Sequence, residues 1–263
     1  MKVLIGADPE IFVMNSQGFT SAFNLVPGTK EKPHPVTNGA IQVDGMALEF
    51  NIDPAKSRAE FIQYINSVMT QLNNRIPKGL HLEVVATADF TKKYLDSLPT
   101  IATELGCSPD FNAYAGGMAN PSPDESVTFR TAAGHLHFGW DDDISQDEYH
   151  KADCVAIVQL ADLLLGVPSV LLDNDTRRRS LYGQAGAYRP KTYGLEYRTL
   201  SNFWLKSDEL QGWAYDNSQL VFEKLTDIEL NQELRNKIQV CIDMSEKAIA
   251  KELIKYFKIP MPK

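Results

Sequence analysis

Gly134-His-Leu-His-Phe-Gly139 alternates two imidazoles with two large apolar side chains. On a β-strand, side chains at i and i+2 share a face. His135 and His137 therefore point one way, and Leu136 and Phe138 the other. Such a strand belongs in an antiparallel sheet that packs a core on one side only. Three more segments repeat the pattern. Asp8 and Glu10 pair in Gly6-Ala-Asp-Pro-Glu-Ile-Phe-Val13, and Glu196 and Arg198 in Gly194-Leu-Glu-Tyr-Arg-Thr-Leu200. Asp44-Gly45 is a two-residue hairpin signal. It sets Gln42 opposite Ala47, with Glu49 and Asn51 on the same face. Any one such face is ordinarily just solvated. Four together, built from carboxylate, imidazole, amide and guanidinium groups, point to a functional face.

Helices surround this sheet. Ser57-Arg-Ala-Glu60 is a capping box ahead of Ile62, Ile65, Met69 and Leu72 at helical spacing. Ser145-Gln-Asp-Glu148 is a second box, opening a helix to about residue 165. Ser207 heads a third, with Leu210, Trp213 and Val221 on its apolar side. Asn231 caps a last long helix to about residue 257, where Pro260 and Pro262 prevent continuation. Besides residues 134–139 and 194–200, strands are expected at about 2–5, 10–14, 39–43, 46–51, 80–86 and 169–172. No linker divides the chain, so residues 1–263 read as one domain whose part beyond about 206 is helical.

Composition limits the classes open to the chain. Hydrophobic residues at 43% and charged residues at 23% fit a globular protein with one large core. A net charge of −8 argues against a nucleic-acid-binding surface. Cys107, Cys154 and Cys241 are far apart and form no CxxC, and the N-terminus reaches Asp8 and Glu10 too soon for a signal peptide. A reduced, cytoplasmic protein is expected. Residues 154–172 are mostly apolar, but Gln159 and Asp162 lie mid-run, and an Asp at mid-membrane costs roughly 2.5–3.5 kcal/mol. Gly166 and Pro168 then punctuate the run into a buried core helix and a short strand.

The ligand types indicate a metal. Asp8, Glu10, Glu49 and Glu196 are hard oxygen ligands suited to Mg²⁺ or Mn²⁺, and Mg²⁺ commonly also binds substrate phosphates. An isolated HxH also occurs in zinc hydrolases and as two structural histidines. Beside carboxylates, it reads as one metal ligand and one phosphate contact. Arg177-Arg178-Arg179, Arg189, Lys191 and Arg198 lie within 22 positions and supply cations for phosphate or carboxylate. Arg177 reads as a surface charge. Arg179 and Arg189 flank Leu181-Tyr-Gly-Gln-Ala-Gly186, whose glycines allow close approach to a ligand. The stretch lacks the GxxxxGK[ST] of a P-loop. No cysteine stands beside a histidine signal and there is no GxSxG; His34, His81 and His150 read as structural. Metal-assisted electrostatic catalysis is the leading class.

The order of these motifs resembles the glutamine synthetase and glutamate–cysteine ligase superfamily, and most of all its phage-encoded COOH–NH2 ligases of the phiEco32-like group. GADPEIFV (6–13) resembles the first metal strand and implies Asp8 and Glu10 as metal ligands. VDGMALEFN (43–51) resembles the next acidic segment and implies Glu49, with Asp44 either a ligand or a turn residue. AGHLHFGW (133–140) is similar to the HxH strand, implying His135 at metal and His137 near ATP phosphates. RRRSLYGQAGAYRPKTYGLEYRTLSNFW (177–204) resembles the arginine loop and final metal strand. It implies Arg179 and Arg189 at phosphate or carboxylate, Tyr182 at the nucleotide, Glu196 at metal and Arg198 at the transferring phosphoryl group.

The fold so implied is α+β, a glutamine synthetase-like curved, mainly antiparallel sheet forming a half-barrel with helices on its outer face. The implied activity is an ATP- and Mg²⁺-dependent (or Mn²⁺-dependent) carboxylate–amine ligation through an acyl phosphate, with Arg179, Arg198 and Glu49 carrying the reaction. Its partners are small-molecule or peptide carboxylates and amines, and nucleic acid only as a modified-base substrate. The chain departs from glutamine synthetase in lacking room for its N-terminal domain and in having Asp8 where a glutamate is usual. Two rival readings are an ATP-independent hydrolase using Asp8, Glu10, His135 and Glu196, and a non-catalytic phage or host interaction protein on the same fold.

Overall fold

A computed structural model describes residues 3–103, 110–120 and 127–263. Cys107 lies outside the described residues. The strands are β1 (Leu4–Asn15), β2 (Gly18–Thr20), β3 (His34–Val36), β4 (Gly39–Asp44), β5 (Ala47–Ile52), β6 (His81–Glu83), β7 (Thr87–Asp89), β8 (Phe111–Asn112), β9 (Met118–Ala119), β10 (Phe129–Thr131), β11 (Gly134–Gly139), β12 (Ala187–Lys191) and β13 (Gly194–Tyr197). The helices are α1 (Arg58–Asn73), α2 (Lys92–Leu95), α3 (Thr100–Thr103), α4 (Glu148–Ala161), α5 (Val167–Leu172), α6 (Asp208–Lys224), α7 (Gln232–Asp243) and α8 (Lys247–Phe257).

The main sheet runs β3-β4-β5-β1-β11-β13-β12-β8-β9, with β2 and β6 also on β1. Its pairings are antiparallel throughout. β7 and β10 form a separate pair. β1 is a continuous strand of 12 residues, where two short strands were expected. Pro9, which has no N–H to give, falls where the β11 register ends and the β5 register begins. On β1 the core face is Ile5, Ala7, Ile11 and Val13, all buried, while Leu4, Gly6, Asp8 and Glu10 line a cavity on the other side.

The β4–β5 turn is Gly45-Met46 rather than Asp44-Gly45, with Gly45 at φ +56°. Gln42 therefore opposes Glu49 instead of Ala47, and its Nε2 donates to Glu49 Oε2 at 2.7 Å. The expected same-face set survives this shift, because Asp44, Gln42, Glu49 and Asn51 all line the cavity.

Ser57 caps α1, its Oγ accepting from the Glu60 amide at 3.2 Å, while Glu60 reaches back to the Lys56 amide at 2.7 Å. The next helix begins two residues later than the Ser145 box implied. Asp147 caps α4 by accepting from the Tyr149 and His150 amides at 3.0 and 3.1 Å. α4 then runs through a π-turn at Asp162–Gly166 into α5, so residues 169–172 are helical where a strand was expected. Pro168 gives no N–H to the carbonyl of Leu164; Asn217 Nδ2 supplies that bond at 2.8 Å, and the helix continues past the proline. The expected helix from Asn231 to residue 257 is interrupted between α7 and α8, with Ser245 at φ +54°.

One core cluster extends from Val3 to Ile259, including Leu136, Phe138, Leu195 and Tyr197 from the sheet and Phe61, Val158, Leu164, Trp213 and Leu253 from the helices. A smaller cluster of Phe12, Met46, Ala88, Phe90 and Ala132 lies against the β7–β10 pair. Glu148–Leu172 is long and apolar enough to cross a bilayer, yet it is mostly buried within this core. Its polar residues are used there: Gln159 Nε2 donates to the Ala113 carbonyl at 2.9 Å.

Candidate active site

Register brings the polar faces together. Asp8 lies opposite His135, His137 opposite both Gly6 and Glu196, Arg189 opposite Glu196, and Glu10 opposite Glu49. Together they line a cavity of about 1020 Å³.

Two groups of possible metal ligands lie along it. Asp8, His137 and Glu196 form one, and Glu10, Asp44 and Glu49 the other, the ligand atoms in each lying within 4.8 Å of one another. In the first group, His137 Nε2 is 2.9 Å from Asp8 Oδ1, but both atoms are buried and neither is aligned as a hydrogen bond. Tyr193 OH contacts His137 Nδ1 at 2.5 Å and fixes the ring. Burial disfavours the charged ring, but the Asp8 carboxylate outweighs it and raises His137; burial also opposes the charge on Asp8, yet the two imidazoles hold it well below the usual range. Burial and Arg198 instead lower His135, whose Nδ1 is 3.3 Å from Arg198 Nη1. His137 groups with Asp8 and Glu196, and His135 Nδ1 stands against the same two carboxylates, 3.5 Å from Asp8 Oδ1 and 3.3 Å from Glu196 Oε1, as well as against the arginine.

The second group consists of three carboxylates. Burial, then Asp44, pushes Glu10 up to about 7, although it accepts from the Ala133 amide at 2.8 Å. Burial, then Asp8, Asp44 and Glu10, raises Glu49 well above the ordinary range. Hard oxygens that converge and repel one another, beside buried unsatisfied acceptor and imidazole atoms, fit a divalent cation of the Mg²⁺ or Mn²⁺ type.

A titration consequence follows. Glu10 and Glu49 both have raised folded-state values, so each contributes stability at low pH that is lost as pH rises, for Glu10 through about 7. The Tm of the metal-free protein should fall between pH 5 and pH 8 by on the order of 5 °C beyond that of Glu10→Gln/Glu49→Gln. Added Mg²⁺ should reverse the fall and release protons near pH 7, read calorimetrically in buffers of different ionisation enthalpy. Equal proton release at pH 6 and pH 9 would refute the assignment.

The cations gather around Glu196, from β12 and the residue after β13. Arg198 bonds Glu196 through Nη1 and Tyr182 OH through Nη2 at 2.7 Å, and its Nε lies 2.5 Å from Asp110 Oδ1. Arg189 is 3.7 Å from Asp110 and 3.9 Å from Glu196, and Lys191 Nζ is 2.8 Å from Glu196. Burial and Asp8 push Glu196 up, but Arg198 and the two histidines outweigh them and hold it at about 2.

Arg179 is the exception among the expected site residues. It donates to Ser245 Oγ and Ser169 Oγ, both at 3.0 Å, on the helical side of the sheet. The reason is local geometry: Arg178–Ser180 is a 3₁₀ turn with three residues per turn, so consecutive arginines diverge. Arg177 takes Asp89 at 2.9 and 3.0 Å and packs over Phe129, and Arg178 Nη1 takes the Thr199 carbonyl at 2.8 Å. Gly183 is likewise needed for the chain rather than for a ligand, because a Cβ there would lie 1.9 Å from Arg178 Nη1.

Sequence reasoning passed over Asp110 and Tyr193. Asp110 carries no periodic or motif signal; only folding brings it to Arg198. Tyr193 lies in the turn between the two basic strands, where its aromatic ring was a visible cue. Cys154 does stand beside a histidine, its Sγ 3.5 Å from His150 Nε2, but burial pushes its thiol up to about 12 and removes it as a nucleophile.

Comparison with family models gives a match over residues 125–258 to the phage phiEco32-like COOH–NH2 ligases, type 2. The chain belongs to this family. The matched region contains β11, β12 and β13, and thus His135, His137, Arg189, Glu196 and Arg198. Comparison with curated proteins finds no match. Among solved structures, this family member is similar to a bifunctional glutathione synthetase from Pasteurella multocida, at 10% identity and a TM-score of 0.48. The similarity covers 98% of this chain and 49% of that one, so the ligase-family chain spans about half the length of that protein.

Proposed function

We propose that the chain is an ATP- and Mg²⁺-dependent carboxylate–amine ligase acting through an acyl phosphate. The observation that carries this reading is one cavity in which two possible divalent-metal ligand groups each take a carboxylate from β1 and Arg189 and Arg198 stand against Glu196. Asp8, His137 and Glu196 would hold one cation and Glu10, Asp44 and Glu49 the other, with Mn²⁺ as an alternative. Such cations neutralise polyphosphate charge when bound.

The chain's own residues do the rest. Arg198 and Arg189 offer fixed guanidinium forks to the γ-phosphoryl oxygens. Tyr182 and Asp110 hold Arg198 in place, and Lys191 adds charge beside Glu196. A substrate carboxylate oxygen attacks the γ-phosphorus, the bond to the β-phosphate oxygen breaks, and ADP leaves. An amine nitrogen then attacks the acyl carbon, the carbon–phosphate oxygen bond breaks, and inorganic phosphate leaves as the nitrogen loses its proton. Positioning and charge neutralisation suffice for both steps, so no side-chain nucleophile is required.

The same proposal takes the sheet as a glutamine synthetase-like half-barrel, and the whole chain as one catalytic domain with a helical C-terminal part. It places the protein in the cytoplasm, with small-molecule or peptide carboxylates and amines as substrates.

Hydroxylamine tests it. Supplied with ATP, Mg²⁺ and a panel of carboxylates, it should replace the natural amine and yield a hydroxamate with stoichiometric ADP and phosphate. Release of AMP and pyrophosphate would replace phosphorylation by adenylation. Product formed without nucleotide would transfer the site to the hydrolase reading.

A further inference from the structure

Behind the sheet lies a buried carboxylate that belongs to neither metal-ligand group. Asp162 sits in the π-turn between α4 and α5 and is fully buried. Its Oδ1 accepts from Tyr197 OH at 2.7 Å and Thr199 Oγ1 at 3.0 Å, and its Oδ2 accepts from the Gly186 amide at 2.6 Å. Tyr197 and Thr199 are the two neighbours of Arg198. Arg198 lines the cavity, while the side chains on either side of it both reach Asp162 among the helices. Gly186 leads into β12, and the carbonyl of the next residue, Ala187, accepts from the Arg198 amide at 2.9 Å. Asp162 thus holds both strands directly under the guanidinium.

The loop entering β12 is tied down on the same side. Asp243 Oδ1 accepts from the Ala185 amide at 2.7 Å, and Arg179 reaches Ser245 from the loop's other end. Gly186 has φ +79°, and a Cβ there would lie 2.7 Å from the Tyr114 ring and 2.9 Å from Asn112 Oδ1, so the position has no room for a side chain. An uncompensated carboxylate is costly to bury, and a filled apolar site of similar volume is often at least as stable. The donors Asp162 collects are aimed at the Arg198 segment, which stability by itself does not require.

We propose that Asp162 is a positioning residue for this site: through Tyr197, Thr199 and the Gly186 amide it sets where the Arg198 guanidinium stands in the cavity. What Arg198 does there rests on the ligase reading; where it stands does not.

Asp162→Asn keeps the volume but leaves one acceptor oxygen for three donors, so either the Gly186 N–H or the Tyr197 and Thr199 hydroxyls must lose or reverse their bonds. It should lower kcat by on the order of 100-fold, the effect of about 1 Å of misplacement, with the KM for Mg²⁺–ATP changed far less. In an Arg198→Lys background the same substitution should cost less than about 2-fold, because the group it positions is gone. Equal factors in the two backgrounds, or a lower Tm with kcat intact, would reduce Asp162 to a structural role. Tyr197→Phe removes one bond only and serves, with the same cycle, if Asp162→Asn does not fold. Independently of turnover, the ¹⁵N–¹H signal of Arg198 Nε in the ligand-free protein should shift in either variant. An unmoved signal overturns the proposal. A shifted signal in a protein that turns over no nucleotide keeps it and rejects the ligase reading.

Discussion

Glu49→Ala is expected to lower Mg²⁺-dependent nucleotide turnover by roughly 1,000-fold, the upper end for loss of one electrostatic partner of the transition state. It should do so while raising the Tm of the metal-free protein. Glu49 is half-buried beside Asp8, Asp44 and Glu10, and loss of water together with this crowding raises it well above the ordinary range. Removing it relieves repulsion and takes away little core volume. Glu196→Ala should abolish turnover to the same degree but destabilise the fold. Arg198, Lys191 and Arg189 all lean on that carboxylate, and breaking a buried pair by removing one partner costs about 3–5 kcal/mol. ADP release and thermal melts on both variants make the comparison. Wild-type turnover in Glu49→Ala would remove the second ligand group from the mechanism. A Glu196→Ala protein that melts like the wild type would contradict the ion-pair network.

Arg198→Lys should cost nearly as much as Arg198→Ala, roughly 100- to 1,000-fold in kcat. The guanidinium meets Asp110, Glu196 and Tyr182 through three different nitrogens, Nε, Nη1 and Nη2. A lysine ammonium is a single compact centre on a flexible stem and cannot reach the three partners and a phosphoryl group together. Single-turnover kinetics on both variants decide it. If the lysine variant keeps wild-type turnover, Arg198 supplies only general positive charge.

Strand alternation made the cavity's main charged and imidazole side chains readable beforehand. Asp8, Glu10, Glu49, His135, His137, Glu196 and Arg198 each follow from a two-residue period, and all seven line one cavity. What periodicity could not supply was orientation within an irregular turn. Arg179 flanks the glycine-bearing stretch and so reads as a ligand contact, but a 3₁₀ turn sends it to the helices. Nor could it assign the histidines, since a two-residue period places both on one face and both imidazoles stand within 3.5 Å of Asp8. Asp110 has no local pattern at all; its place depends on contacts far apart in sequence. The segment 169–172 reads as a strand because its apolar run is too short to reveal a period. Asn217, on another helix, supplies the donor that lets the helix pass Pro168.

β1 has a mechanical consequence. Asp8 belongs to one ligand group and Glu10 to the other, and a single residue separates them on one unbroken strand. Two residues of β-strand span about 6.8 Å, a length fixed by covalent geometry and pleat. The strand therefore works as a ruler between the two positive charges the site would hold. Loops and helices around it can shift without altering that distance, while a one-residue insertion between Asp8 and Glu10 would turn one carboxylate into the core and destroy both groups at once.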